Sequence, residues 1–479
     1  MTNNEKMSGQ SKLILFILIL GNFLCLISET VMNVALPKII SEFHVPTSSA
    51  QWLTTGYMLI IGVSVPVSAF LIQRFTLRQL FITAMSLYVV GSVMAFMTPL
   101  FSILLMGRMI QALGTGLVLP LVMSTMLTLV PVHKRGTVMG VFQVAILFAP
   151  AIGPVLSGIA IQYYSWRIIF LGLLIAAVLI LLFAAFKLKN VLETSRPKIH
   201  IPSVVLSTLG FGGVVYGFSG AGEGSGWGNP LVWITLSIGI IALAIFVRKQ
   251  TKMTSPMISM TPFTSSIFSR GILLMFLVMM IQFSMMLILP LYFQTAASLS
   301  PLQTGFLMLP GGITLALTAM IGGRLFDKIG FKPLLVVGLI LLIIMLSLFT
   351  RISSDTTTTE ATILYAFFTI GVGLSVGPAM TLALNQVPKE LHAHGSAISN
   401  TINQVSGAIG PALYTSIMTM TSQRFIEGAE EGNQSLLEVQ GMTEGVHTVY
   451  YTALGFAALA FLLALTLKRK DQQLQKGET

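Results

Sequence analysis

Long apolar runs broken by short polar, often basic, interruptions make up almost all of this 479-residue chain. A helix needs about 20 apolar residues to cross the hydrocarbon of a bilayer. Fourteen runs qualify, at 13–36, 52–72, 79–98, 101–130, 137–161, 168–186, 203–219, 231–247, 271–293, 302–323, 334–350, 361–387, 395–419 and 447–467. The first is longer than a signal-peptide core and has no small-residue cleavage pattern after it, so it reads as a retained span. The pattern predicts an all-α polytopic membrane protein with fourteen transmembrane helices.

The interruptions carry the orientation. Cytoplasmic segments accumulate Lys and Arg, and with the N-terminus inside, only Lys38, Arg167, Arg351 and Arg424 fall outside while Arg108 lies within a run; the other 22 of 27 basic residues fall inside. Both termini are therefore expected in the cytoplasm, in a multi-pass protein of the cell membrane. The longest outer loop, roughly Thr421 to Val446, carries Glu427, Glu430, Glu431, Glu438 and Glu444. Its acids read either as a cation-concentrating patch or as a solvated face, with room for a short surface helix.

Composition agrees. The chain is 54% hydrophobic and 9% charged with mean hydropathy +0.87, against about 25% charged for soluble domains. A net charge of +11 is spread singly and in pairs, with no long basic tract, which argues against nucleic acid as a partner. The lone Cys25 sits in the first run and has no second cysteine to pair with.

A repeat runs through the pattern. Gly114, Gly116, Val130, Pro131, Ile152, Gly153 and Pro154 recur 257 positions later as Gly371, Gly373, Val387, Pro388, Ile409, Gly410 and Pro411. Aligned there, spans one to six match spans nine to fourteen, leaving spans seven and eight as an insert whose turn, Gly220 to Pro230, holds five glycines. The expected domains are 1–200, a six-helix bundle; 201–255, a two-helix insert; and 256–479, a second six-helix bundle. Fused parallel repeats are how many transporters build a path between two halves.

Specific motifs follow the same frame. Ser28-Glu29-Thr30-Val31-Met32-Asn33-Val34-Ala35-Leu36-Pro37, with Gln51-Trp52-Leu53-Thr54-Thr55-Gly56-Tyr57 after it, resembles the fourteen-span drug:proton antiporters of the major facilitator superfamily, in particular the lincomycin-resistance type of multidrug exporter. Arg108-Met109-Ile110-Gln111-Ala112-Leu113-Gly114 is similar to the fourth-span motif of proton-coupled members, with Ala112 where the family has glycine. Gly140, Pro150, Gly153, Pro154 and Gly158 resemble the fifth-span antiporter motif, although Ala149 and Ser157 replace two glycines. Gly323, Asp327, Lys328, Gly330 and Lys332 resemble the loop motif that latches the bundles on the cytoplasmic side. Its first-half equivalent keeps Arg74 and Arg78 and has lost the acid and both glycines.

The resemblance implies two bundles rocking about a midplane site, driven by the proton gradient with no cofactor, working as a monomer in lipid on small amphipathic drugs. One departure matters. The family's first-span acid stands nine residues before the proline, where this chain has Ser28, and the acid here is Glu29. One residue turns a helix by about 100°.

Glu29 is the only carboxylate in the fourteen runs, and an intramembrane acid usually faces a cavity and marks an ion or proton path. Arg108 is the only cation far from a span end. Counted from Pro37 and Pro99 at about 1.5 Å per residue, both lie some 12–14 Å from the outer boundary. An ion pair or water-bridged contact is then open to them, the alternative being Arg108 as an anchor on carbonyls. Gln111, on Arg108's face, either orients water or bonds between helices. Asn33, Tyr57, Gln143, Gln282, Asn400, Asn403 and Gln404 are candidate substrate contacts or ordinary packing residues. The fifth-span motif is a bendable element or a fixed kink.

No H-E-x-x-H pair, Walker loop or nucleophile elbow is present, so an enzyme or a primary pump is not expected. His133, His392 and His394 lie in inner loops, and no metal site is expected. The reading is a proton-driven exporter of lincosamide-like antibiotics and other monocationic or neutral amphipaths. The alternatives are an importer or symporter of a small organic solute on the same scaffold, or a non-transporting receptor.

Overall fold

A computed structural model describes residues 8–130, 135–191, 200–221, 226–253, 256–388, 391–429 and 433–467, with some side chains inside the helices left out. The described chain is helical throughout: α1 (Gly9–Phe43), α2 (Thr47–Arg74), α3 (Leu77–Met97), α4 (Phe101–Leu129), α5 (Arg135–Tyr163), α6 (Trp166–Lys187), α7 (Ile201–Gly220), α8 (Pro230–Lys252), α9 (Ser266–Thr295), α10 (Pro301–Ile329), α11 (Phe331–Phe349), α12 (Thr358–Asn385), α13 (His392–Gly428) and α14 (Gln434–Thr466). Eleven of these are long and apolar enough to cross a membrane. The other three are α2, α5 and α13.

The helices overrun the apolar runs that announce them. The first run, 13–36, becomes a 35-residue α1, because the polar residues flanking a span can still satisfy the helical hydrogen-bond pattern. The acidic segment 421–446, read as a loop with room for a short surface helix, is mostly helix: α13 runs to Gly428 and α14 starts at Gln434. Gly445 packs on the backbone of Met418 and so holds the two helices together there.

Local chemistry sets the starts and stops. Thr76 and Gln79 form a capping box ahead of α3, and Ser300 and Gln303 form one ahead of α10. The turn from α10 to α11 needs Gly330 at φ 81°, a conformation that side chains with a Cβ resist.

Helices α1 to α6 pack on one another, as do α9 to α14, while α7 and α8 form a hairpin. The two six-helix groups share a construction detail. A Cβ on Gly107 would lie 2.8 Å from the Gly91 carbonyl where α3 crosses α4, and one on Gly371 would lie 2.8 Å from the Gly338 carbonyl where α11 crosses α12. Small residues at such crossings let backbones touch, which is how helices associate without a hydrophobic drive. Large apolar side chains point outward instead, among them Leu179, Phe186 and Ile240, as lipid-facing surfaces require.

The ends of α1 and α9 that lie together define a distal face: Gln294 of α9 donates to the Val34 carbonyl of α1 at 3.0 Å. At the opposite, terminal face Arg270 at the start of α9 reaches the Thr466 carbonyl that ends α14. Between the groups, α5 meets α10 and α2 meets α13. Along the first seam Gly158 packs on Pro301 and Leu302, Gly305 on Pro154, and Gly312 on Ala151. Along the second Met58 meets Gly407 and Gly62 meets Gln404. The α5–α10 contacts fall between mid-helix and the distal end, and the α2–α13 contacts lie near mid-helix.

The hairpin covers only the second seam. Ser219 of α7 accepts from Gln51 of α2 at 3.0 Å, Tyr216 lies against Trp52 with ring centroids 5.9 Å apart, and Val215 clusters with Met58 of α2 and Ala408 of α13. At the terminal face the chain leaving α8 is tied back: Gln250 bonds Ser203 and the Ile258 N–H, and the Ser259 N–H donates to His394 Nδ1 at 3.2 Å.

Candidate functional site

Three faces of α1 can be told apart by what they touch. Gly21 packs on Phe81 and Met85 of α3, and Ser28 meets Arg108 of α4. Thr30 packs on Gly153 of α5. Glu29 is turned about 100° from each neighbour and shares its face with Asn22, Leu26 and Asn33, at the i, i+4, i+7 and i+11 spacing of a helical stripe. It is 6% exposed and makes no hydrogen bond or ion pair among the described residues. Asn22, which the sequence did not single out, lies two turns along that stripe with its Nδ2 also unpartnered.

Arg108 is wholly buried, and its neighbours are neutral. Nη1 donates to Ser28 Oγ at 2.8 Å and to Gln111 Oε1 at 3.1 Å, Nε donates to the Leu53 carbonyl at 3.2 Å, and Nη2 has no partner. The guanidinium sits 3.9 Å above the Tyr57 ring, an arrangement worth about 2 kcal/mol when desolvated. The Tyr57 hydroxyl in turn bonds Thr115 at 2.7 Å. Gln111 donates to Ser92 at 2.7 Å, and Ser92 donates to the Tyr88 carbonyl. Gln111 therefore bridges α4 to α3.

The geometry separates the two charged residues that the sequence set side by side. Arg108 takes Ser28, the position where the resembled family has its acid, and the structure forms no direct ion pair between Arg108 and Glu29. Both alternatives for Arg108 meet here: it is anchored on a carbonyl, and it still lies one helical step from the carboxylate. Coulomb attraction across that step is strong because little water intervenes. A proton added to or removed from Glu29 changes the charge that Arg108 feels. The site can thus hold a proton or a cation, one at a time, at a carboxylate whose hydrogen-bonding capacity is unspent.

The proposed substrate contacts do not form one cluster. Asn33 lies on the stripe of Glu29, and Tyr57 is part of the Arg108 nest. Gln282 of α9 is beside Tyr365 of α12. Gln404, with Oε1 unpartnered, packs on Gly62 at the α2–α13 seam, and Asn400 and Asn403 are half-buried on α13. The side chain of Gln143 lies outside the described residues.

In α5, Pro150, Gly153, Pro154 and Gly158 all lie in one continuous helix. Gly153 accepts Thr30 of α1, and a Cβ on Gly158 would stand 2.6 Å from the Pro301 carbonyl. The motif is thus packed on one bundle at Gly153 and on the other at Gly158. Gly140 belongs to the part of α5 whose surroundings are not described. The latch residues are only partly visible. Arg78 caps its own bundle, donating through Nη2 to the Ala185 carbonyl at 2.6 Å and through its N–H to Asn190. Arg74 and Lys328 are exposed, Lys332 is half-buried, and Gly330 makes the α10–α11 turn. The side chain of Asp327 and the surroundings of Gly323 lie outside the described residues.

Sequence reasoning marked Ser28 as the family's acid position without seeing it as Arg108's partner, and it missed Tyr88, Ser92 and Thr115 as members of the nest. Nothing in the spacing of those three marks them, since two are small hydroxyl residues common in any membrane helix.

Comparison with known proteins gives a consistent answer. The family profile described as Major Facilitator Superfamily matches residues 18–411. The lincomycin resistance protein LmrB of Bacillus subtilis (strain 168) is 40% identical over 467 residues, covering 97% of this chain and 98% of that protein. The uncharacterised MFS-type transporter YhcA of the same strain is 40% identical over 418 residues, 87% of this chain and 78% of that protein. Among solved structures, a bacterial homologue of the human lysosomal transporter Spinster, inward-facing and unoccupied, matches with TM-score 0.71 over 97% of this chain and 99% of its own at 16% identity. That last likeness concerns the fold alone.

Proposed function

The chain belongs to the Major Facilitator Superfamily, and from that premise we propose that it is a proton-driven secondary exporter of amphipathic drugs. Glu29 carries the proposal. It is a buried carboxylate with no hydrogen-bond partner among the described residues, one helical step from Ser28, which holds a buried guanidinium, and intramembrane acids of this kind mark ion or proton paths. Likeness to a lincomycin resistance protein over nearly the full chain supports antibiotics of that kind as cargo.

In this reading all fourteen α-helices span the cell membrane, with both termini in the cytoplasm on the basic terminal face. Residues 1–200 and 256–479 are the two rocking bundles and 201–255 the insert. A monomer suffices. The α5–α10 contacts toward the distal end and the Gln294–Val34 bond support a closed outer face. When that face opens, Glu29 takes a proton from outside and the drug leaves; when it closes again, the proton is released inward. Arg108 favours the deprotonated state that receives a cation, and Gln111 holds Arg108 in place. The gradient supplies the energy. Asp327, with Arg74 and Arg78, is the proposed latch of the opposite state.

Everted membrane vesicles carrying the chain test this directly. Lincomycin or a monocationic dye is expected to discharge a preformed pH gradient in native vesicles and not with Glu29→Gln. Equal discharge by both proteins would remove Glu29 from the mechanism. Discharge by neither, with a small organic solute active instead, would favour an importer.

A further inference from the structure

The internal repeat reaches further than its glycines. Arg108 stands six residues before Gly114, and Tyr365 stands six before Gly371. Glu29 stands eight residues before Pro37 inside α1, and Gln282 stands eight before Pro290 inside α9. Where the first bundle has an acid and a guanidinium, the second therefore has an amide and a phenol. These are near each other in space as well as in register, because the Gln282 side chain lies beside the Tyr365 hydroxyl.

The second pair is as firmly built as the first. Tyr365 is 3% exposed; its ring lies in the space left by the missing Cβ of Gly311 and stacks on Phe368 at 6.1 Å and 18°. Thr314 bonds Thr369 across α10 and α12 at 2.8 Å. Gln282 is 5% exposed, and its Oε1 has no partner among the described residues. Buried amide oxygens are normally satisfied. An open acceptor at the repeat position of the proton-carrying acid is the signature of a site that meets its donor in a ligand.

We propose that Gln282, steadied by Tyr365, determines specificity by accepting a hydrogen bond from a hydroxyl or amide N–H of the transported compound. This rests on the antiport reading above. Glu29 on the first bundle then meets the single positive charge of that compound. The substrate class is an amphipathic monocation that also carries neutral hydrogen-bond donors. Dications are disfavoured because a second charge would be desolvated against a neutral amide, without the counter-charge that buried ions need.

The test uses everted vesicles with the full chain and two probes: lincomycin, a hydroxyl-bearing amine, and tetraphenylphosphonium, a cation with no donor. Gln282→Leu keeps the bulk and removes the acceptor. It is expected to raise the KM for lincomycin about tenfold, with the maximal rate nearly constant and a much smaller change for tetraphenylphosphonium. Gln282→Glu retains an acceptor and adds charge; it is expected to keep the lincomycin KM near native and to admit pentamidine, a dication, as a substrate. Equal losses for both probes in Gln282→Leu would mean a packing role and overturn the proposal, as would an unchanged lincomycin KM. If native vesicles show drug-driven proton flux while Gln282→Leu is indifferent, only the acceptor falls. If native vesicles show no such flux, the antiport reading falls and the acceptor with it.

Discussion

In the first half of the chain a guanidinium lies over Tyr57 and holds Ser28, with a carboxylate one helical step away. At the places of Arg108 and Glu29 in the second half stand Tyr365 and Gln282, both neutral. Yet Gly114 meets the Ala84 carbonyl as Gly371 meets the Gly338 carbonyl, and Gly153 is matched by Gly410. The two halves keep the same backbone contacts and differ in charge. Close helix crossings are demanded by the fold in both bundles, so their glycines are retained. A buried charge carries a desolvation penalty of several kcal/mol per ion, and the proposed antiport needs one such site.

The largest effect should come from erasing the difference. Glu29→Gln gives the first bundle the amide of the second, and drug-driven proton flux in vesicles is expected to fall to background. A protein that still couples protons with two amides would break the comparison.

Arg108→Leu is next. It strips Ser28, Gln111 and the Leu53 carbonyl of their donor at once, at about 1–3 kcal/mol for each buried group left unsatisfied. Thermal unfolding of the purified protein should show a marked drop in Tm, whereas Tyr365→Phe, in the matching place, should shift it little.

Shared glycines provide the opposite check. Gly153→Val meets Thr30, and Gly410→Val meets the Met280 carbonyl. Both should destabilise by a similar amount, about 1–3 kcal/mol each for overpacking, while Gly172→Val, with open space around it, should change little. Unequal losses at the two repeat-related sites would show that the bundles do not share their construction.

The smallest expected effect is at Gln111. Gln111→Glu keeps the bond to Arg108 and adds a second carboxylate near the nest, so the pH optimum of transport should shift while the maximal rate changes by less than about tenfold. An unmoved optimum would leave Gln111 a purely interhelical bond.

Much of this was legible in the sequence, and the remainder was hidden for identifiable reasons. Apolar run length announces each helix, and the Gly and Pro spacing announces the duplication. The ends were misjudged where polar residues continue a helix past the apolar core, as in α1 and α14. The 100° step between Ser28 and Glu29 was visible, but its result was not: which carbonyl and which hydroxyl Arg108 selects depends on α1, α2 and α4 meeting in space. The kinship of Gln282 with Glu29 was obscured by an offset of 253 at the helix prolines against 257 at the glycines, so a single repeat spacing passes it by. Tyr365 was readable at the 257 spacing and went unnoticed because a tyrosine in an apolar helix looks ordinary.

The α7–α8 hairpin gives the molecule a handed surroundings. Among the described residues its roof over the α2–α13 seam has no counterpart at α5–α10, where Gly158, Gly305 and Gly312 bring the helices close. A compound dissolved in the bilayer therefore approaches a walled flank on one side and a bare one on the other. The neighbourhood of this protein in the membrane is lopsided, and traffic sideways between lipid and the interior should run past α5 and α10.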